Sequence, residues 1–386
     1  MIIGQFCDSF PPTLDGVARV TYAYCETLSK MGHAAYYIAP KNSQAPEYPD
    51  LNTVLSPAVK MPTEQWRVGL PMLGFKYHKN LKGIPFEIVH AQSPFVAGSE
   101  ALRIAKKRNI PLVSTFHSKY YDDFLQRTHS KNLSKVLLKT VIDFYEKCDA
   151  VWTVNAGTAE VLRSYGFGGK ITVMENGTNL ETVDKQTLAE MRRRVHPMER
   201  VPMLLFVGRH NKQKNVEGAL YACRILKDKG VKFRMVTAGD GPDFERLEKL
   251  VEKLGLQNEV MFLGYMDNRA EIMALYELAN LLVFPSLYDS APMVLREAAA
   301  MKTPGLVVAG SCSAEDFRDK VNAFVARDNS PEAIAEKIIE ALPLLDRVGA
   351  EAQKTIPVSW EKIMEKVVRE YEALIIEKQG RIRSIS

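Results

Sequence analysis

The sequence contains no run of about 18 apolar residues, so no segment reads as a membrane-spanning helix. It has no C-x-x-C pair. Cys7, Cys25, Cys148, Cys223 and Cys312 are scattered, which reads as reduced thiols used as small buried hydrophobes in a cytoplasmic protein. The first residues, Met1-Ile-Ile-Gly-Gln-Phe6, carry no basic n-region and no cleavage site, so no secretory leader is expected. Charge of one sign is not in large excess. A net +5 is too mild for a dedicated nucleic-acid binder, yet it suits acidic ligands or an anionic bilayer surface. What remains is a soluble globular composition, 46% hydrophobic and 25% charged. Its 386 residues are enough for two ordinary domains.

Strand and helix patterns alternate nearly throughout, as in an α/β fold with parallel sheets. Strands are expected at 2–6, 34–39, 86–90, 112–116, 151–154 and 171–174, with helices at about 17–31, 93–108 and 133–147. Residues 40–82, rich in proline, read as irregular. The polar turn Glu175-Asn-Gly-Thr-Asn179 marks a boundary. A second series follows, with strands near 203–207, 232–237, 259–263, 281–284, 305–309 and 323–326, and helices between them. The expected domains are therefore 1–178 and 179–359. The segment from Trp360 to about Lys378 is helical, with Ile363, Val367, Tyr371 and Ile375 on one face. That face fits either a closing helix on the second domain or a helix returning to the first; the domain assignment takes the return. Residues 379–386 read as a frayed basic tail.

The densest chemistry lies in residues 283–300, Val-Phe-Pro-Ser-Leu-Tyr-Asp-Ser-Ala-Pro-Met-Val-Leu-Arg-Glu-Ala-Ala-Ala. This is a strand end, a tight loop and a helix start, a junction that aims backbone N–H groups and a positive dipole end at an anion. Asp289 lies in the loop. Glu297 lies more than one turn inside the helix, too far along for the two carboxylates to share a proton. They suit separate hydroxyl-bearing parts of one elongated ligand.

Other junctions repeat the pattern. Asp15-Gly16-Val17 lies between the first strand and helix, where glycine lets a ligand approach the backbone. Gly208-Arg209-His-Asn-Lys212-Gln-Lys214 occupies the first turn of the second domain, with Arg209 and Lys214 suited to phosphate. Gly239-Asp-Gly-Pro242 is first a turn signal, and its backbone is a possible ligand approach. Gly264-Tyr265-Met266 ends a strand where a flat base would dock. His117 follows the strand 112–116, at the rim where ligands collect in such sheets.

These motifs, in this order and spacing, resemble the retaining glycosyltransferases of family 4, which have the GT-B fold. That fold is two Rossmann-like doubly wound α/β domains facing across a cleft. The resemblance spans essentially the whole chain and is strongest in the E-x7-E signature, here Asp289-x7-Glu297. It implies a hexosyltransferase whose donor is a nucleotide sugar, UDP-linked rather than GDP-linked by preference. Glu297 would hold the ribose and Asp289 the transferred sugar. Ala291, Pro292, Met293 and Val294 would present backbone to sugar and phosphates. Arg209 and Lys214 would stabilise the departing diphosphate. Gly16, Val17, Gly208 and Gly239 would border the donor, and the base would lie on Gly264, Tyr265 and Met266. His117 would sit beside the sugar. No cofactor or metal is implied, and no D-x-D-like pair lies in a crevice loop; Asp122-Asp123 falls beyond the His117 loop.

The chain departs from the common family pattern. Asp289 stands where glutamate is usual, Ser290-Ala291 replaces a Gly-aromatic pair, and Asn322-Ala323 replaces Asn-Gly. The donor sugar is thereby left open. Family members with this His117 region resemble diacylglycerol or phosphatidylinositol glycosyltransferases, which implies a lipid or lipid-linked glycan acceptor and glycolipid biosynthesis. Residues 60–82 and 131–147 mix lysines with apolar and aromatic residues and suit peripheral contact with the inner membrane face. A soluble acceptor and a non-catalytic nucleotide-sugar-binding protein are the alternatives.

Overall fold

In the computed structural model, residues 1–11, 16–43, 48–61, 67–195 and 201–383 are described. Asp15, positions 62–66 of the basic–aromatic segment and the last three residues of the tail lie outside them. The chain forms two compact units, Met1–Gly177 with Trp360–Ser386, and Thr178–Ser359.

The first unit runs β1 (Ile2–Phe6), α1 (Gly16–Lys30), β2 (Ala34–Pro40), β3 (Asn52–Ser56), β4 (Ala58–Lys60), β5 (Arg67–Gly69), α2 (Phe75–Gly83), β6 (Ile88–Ala91), α3 (Val96–Arg108), β7 (Leu112–Phe116), α4 (Tyr120–Thr128), α5 (Lys131–Tyr145), β8 (Ala150–Thr153), α6 (Ala156–Ser164) and β9 (Ile171–Val173). Among the described residues its main sheet has the order β3-β2-β1-β6-β7-β8-β9, all parallel, and β4 and β5 form a separate antiparallel hairpin. The strands are near-continuous apolar runs because helices cover both faces of a parallel sheet. Ile3, Phe6, Ile88, Val89, Val113 and Phe116 are fully buried. Residues 40–82 correct the sequence reading. Instead of an irregular stretch they supply an edge strand, a hairpin and a helix, because short polar strands carry little periodic signal.

The second unit runs α7 (Lys185–Val195), β10 (Met203–Val207), α8 (Val216–Asp228), β11 (Arg234–Ala238), α9 (Phe244–Lys253), β12 (Val260–Phe262), α10 (Arg269–Leu278), β13 (Leu281–Val283), α11 (Met293–Ala300), β14 (Gly305–Val308), β15 (Phe324–Ala326), α12 (Pro331–Ala341) and α13 (Leu345–Thr355). Its parallel sheet has the order β12-β11-β10-β13-β14-β15. Both sheets therefore reverse direction beside their first strand, between β1 and β6 and between β10 and β13. At such a point the flanking loops diverge and leave a crevice beyond the carboxyl ends of the strands.

Helix α14 (Trp360–Arg383) returns to the first unit. Ile363, Val367 and Tyr371, four residues apart, are all fully buried, as one helix face should be. The Tyr371 ring stacks on Trp152 of β8 at 5.5 Å and 12°. Trp360 starts the helix, 3% exposed, with its ring 5.9 Å from Tyr24 of α1. A Cβ on Gly177 would come within 2.5 Å of that indole, which is why glycine stands there. Truncating a buried aromatic costs roughly 3–5 kcal/mol. Trp360→Ala should therefore lower the urea midpoint of the first unit's unfolding by that equivalent, followed by tryptophan-independent circular dichroism, and leave the second unit's transition in place.

Candidate active site

In the second unit the turns after β10, β11 and β12 are fastened to one another through their glycines. Gly208 N–H donates to Ala238 O at 3.0 Å, and Gly239 N–H donates to Gly264 O at 2.8 Å. Gly239 has φ 138°, and a Cβ there would lie 2.0 Å from the Gly208 carbonyl oxygen. Only glycine allows these backbones to meet. The Gly208–Asn215 loop then folds back through Asn211, whose side chain accepts from Lys214 N–H at 3.2 Å. Asn215, at φ 53°, caps α8 by accepting from Gly218 N–H at 3.2 Å.

The β13–α11 loop packs against this first loop. The Ser286 hydroxyl donates to Gln213 O at 3.1 Å and accepts from the N–H groups of Tyr288 and Asp289 at 3.2 and 3.4 Å. This holds the Asp289 carboxylate against Lys214, and the two form an ion pair. Lys214 Nζ also lies 5.4 Å from the centre of the Phe284 ring. The second Asp289 oxygen is buried and has no hydrogen-bond partner among the described residues. Helix α11 has Pro292 as its N-cap, a residue whose side chain supplies no cap hydrogen bond. Its first turn thus presents backbone donors and the positive dipole end beside a lysine, the features that favour a phosphate.

Glu297 lies deeper, 3% exposed. Its two oxygens are taken separately: Arg269 Nη1 donates at 2.7 Å and the Tyr276 hydroxyl at 3.0 Å. The Asp289 and Glu297 carboxylates are thus gripped by different cations, with the helix start between them in sequence. Arg269 and Tyr276, both on α10, are site residues the sequence reading missed. Their spacing is ordinary for a helix, and nothing local ties them to a carboxylate 21 or 28 residues on. Arg209 is half-buried on the first loop, Tyr265 is 48% exposed and Met266 is buried. Ala291, Met293 and Val294 are half-buried around Pro292.

His210 occupies the same loop. Its backbone N–H donates to Asp240 O at 2.9 Å and its carbonyl accepts from Asp243 N–H at 3.1 Å. The ring is fully buried among Phe206, Phe244 and Phe262, and neither ring nitrogen has a hydrogen-bond partner among the described residues. Burial pushes its pKa down to about 4, against the pull of Asp240 and Asp243.

In the first unit, Gly16 is the exposed first residue of α1 and Val17 follows it. His117 directly follows β7, 9% exposed, with Nε2 2.8 Å from Gln92 Oε1. Burial lowers its pKa to about 4, so the ring is neutral at physiological pH. Asp8, beyond β1, supplies the cap that α3 lacks: its carboxylate accepts from Ala97 N–H at 2.9 Å and from the Ser93 hydroxyl at 2.6 Å. Burial raises the Asp8 pKa, and these hydrogen bonds offset part of the rise.

Two family models match the chain in tandem, the glycosyltransferase family 4 model over residues 14–182 and the glycosyl transferases group 1 model over residues 189–354. The chain belongs to the family 4 glycosyltransferases. It is similar to an alpha-monoglucosyldiacylglycerol synthase of Streptococcus pneumoniae, 25% identical over 89% of this chain and 78% of the relative. The fold is GT-B, as shown by likeness to solved structures. A sucrose-phosphate synthase of Thermosynechococcus elongatus superposes with TM-score 0.78 at 18% identity, covering 98% of this chain and 100% of that one. HepE of Anabaena in complex with UDP gives 0.76 at 15% identity, covering 97% and 100%. This glycosyltransferase is thus a hexosyltransferase by family.

The buried histidines set a sign for its stability. A histidine whose pKa is about 6.5 unfolded and about 4 folded binds more protons when unfolded between those values, so stability is full above pH 6.5 and declines as pH falls toward 4. His210→Leu should keep or raise stability at pH 7, since no ring hydrogen bond is lost. It should also flatten the decline below pH 6.5 by up to about one proton's slope in pH-dependent urea melts.

Proposed function

We propose that this glycosyltransferase transfers a hexose, with retention at the anomeric carbon, from a nucleotide sugar to a hydroxyl of a membrane lipid or lipid-linked glycan. The observation that carries the donor half is the start of α11, with proline at its N-cap, following in the same loop the Asp289 that pairs with Lys214. Departure of a nucleoside diphosphate builds negative charge, and fixed cations and helix N-termini are what that step requires. On donor binding, Lys214 exchanges the Asp289 carboxylate for phosphate oxygens, helped by Arg209. Asp289 is released to accept from sugar hydroxyls, and Glu297, held by Arg269 and Tyr276, accepts from the ribose. The base lies on the backbone of Gly264 to Met266, and Gly16 and Val17 border the donor. His117 contacts the transferred sugar as a neutral imidazole. The C1–O bond to phosphate breaks, a bond from the acceptor oxygen to C1 forms on the same face, and the acceptor proton passes to a phosphate oxygen. A UDP donor is favoured over GDP, in keeping with the UDP complex of the similar HepE structure.

The acceptor half rests on two exposed apolar surfaces of the first unit. Met72, Leu73 and Phe75 are 92%, 74% and 87% exposed, followed on α2 by Lys76, Lys79 and Lys82. On α5, Leu133 and Val136 are exposed among Lys131, Lys135 and Lys139. Large apolar side chains beside lysines fit a bilayer bearing anionic headgroups, at about 1 kcal/mol per lysine near the surface. No helix among the described residues is long and apolar enough to cross a membrane, so the proposed contact is peripheral. The named diacylglycerol activity of the similar pneumococcal synthase supports the lipid class.

Two measurements test these halves. Release of UDP from UDP-sugars, compared with GDP from GDP-sugars, should occur at a slow basal rate and drop about 10²–10³-fold in Arg209→Ala. Wild-type turnover in that variant and in Glu297→Ala would remove the site assignment. Flotation with vesicles containing anionic lipid should carry the protein upward, less so at high salt and less so in the double variant Met72→Ser, Phe75→Ser. No flotation would favour a soluble acceptor.

A further inference from the structure

A continuous line of buried hydrogen bonds joins His117 to the terminal helix. His117 Nε2 meets Gln92 Oε1 at 2.8 Å. Gln92 Nε2 donates to Gln5 Oε1 at 2.9 Å, and Gln5 Nε2 donates to the Tyr371 oxygen at 3.0 Å. Tyr371 then has one proton to give, and His90 Nδ1 stands 2.5 Å away. His90 Nε2 meets Thr115 Oγ1 at 2.8 Å. Gln5, His90 and Gln92 are fully inaccessible, as is Tyr371. The members come from β1, β6, the residues just past it, β7 and α14.

The direction of each bond is constrained by the next. With Gln5 Nε2 donating to the Tyr371 oxygen, the one hydrogen of this buried phenol has His90 Nδ1 as its remaining partner, so Tyr371 donates to His90. His90 Nδ1 is then an acceptor, which also suits the second contact from Gln92 Nε2 at 3.4 Å. Its Nε2 carries the proton and donates to Thr115. At the other end, Gln92 uses its amide nitrogen on Gln5, so its carbonyl oxygen is what faces His117, and His117 must donate from Nε2. Burial keeps both histidines neutral, lowering His90 well below its usual value and His117 to about 4, so each has one proton to place. Reversing any one amide would set two donors or two acceptors against each other unless every other member reversed too.

We propose that Tyr371 is a positioning residue: through Gln5 and Gln92 it fixes His117 as the Nε2–H tautomer and leaves Nδ1 as the acceptor available to a substrate hydroxyl. This deepens the reading of His117 as a sugar contact and rests on it for its functional meaning. The terminal helix thereby does more than close the first unit's core. A residue 254 positions away decides whether the imidazole accepts or donates at its free nitrogen.

The test uses the full chain labelled with [15N]histidine. Long-range 1H–15N correlation reads which ring nitrogen is protonated, with the His117 signals assigned by their loss in His117→Gln. Wild type should show His117 protonated at Nε2 alone. Tyr371→Phe keeps the ring on Trp152 and removes only the hydroxyl; it should give a mixture of both tautomers. Gln5→Met, which removes the middle of the line at similar volume, should do the same and serves if Tyr371→Phe does not fold. Donor turnover should fall about 3–10-fold in kcat with donor KM unchanged, the scale of one hydrogen bond of ordinary strength. A wild-type His117 protonated at Nδ1, or an unaltered Nε2–H tautomer in both variants, overturns the proposal. If His117→Ala turns over donor as fast as wild type, the sugar-contact reading fails by itself, and the tautomer result still decides the coupling.

Discussion

The constraint on which this molecule depends is the geometry of a parallel sheet that reverses its winding beside its first strand. Every strand of such a sheet ends at one edge, and every following helix begins there. The edge therefore gathers loop backbones, unpaired N–H groups and helix dipole ends without any special sequence. Nearly all the chemistry-bearing residues of this chain stand at such an edge. In the second unit they are the Gly208–Lys214 loop, the Gly239 and Gly264 turns and the start of α11. In the first they are Asp8, Gln92 and His117.

The two acids show how the edge holds buried charge. A carboxylate that is largely buried is costly unless a cation or several donors meet it. Glu297 is met by Arg269 and Tyr276, both rigidly carried on α10. Asp289 is met by Lys214, a flexible side chain on a loop. The deeper acid is thus held by two groups of one helix, one on each oxygen. The shallower acid is held by a flexible lysine, and among the described residues one of its oxygens has no hydrogen-bond partner.

Burial plays a second part in the first unit, where it produces order among neutral groups. Glutamines, a tyrosine and two histidines enclosed together must satisfy one another, and neutral imidazoles leave little freedom in how they do so. The cost of leaving any member unmade is what couples the terminal helix to the rim of the sheet.

Much of this was legible along the sequence. The alternation of buried strands and amphipathic helices, the glycine turns and the Asp289-x7-Glu297 spacing are local, because the periodicity of an element and the chemistry of a turn are set by neighbouring residues. So were the family and its GT-B fold, through the order of those turns. The short strands within residues 52–69 and helix α2 were not, since polar segments of a few residues carry too little pattern. The pairing of Asp289 with Lys214, the Arg269 and Tyr276 grip on Glu297, and the line from His117 to Tyr371 join positions 21 to 366 residues apart. Propensity and spacing hold no information about such meetings. They were decided only when strand order brought β10 beside β13 and β1 beside β6, and when the last helix returned to cover the first unit's sheet.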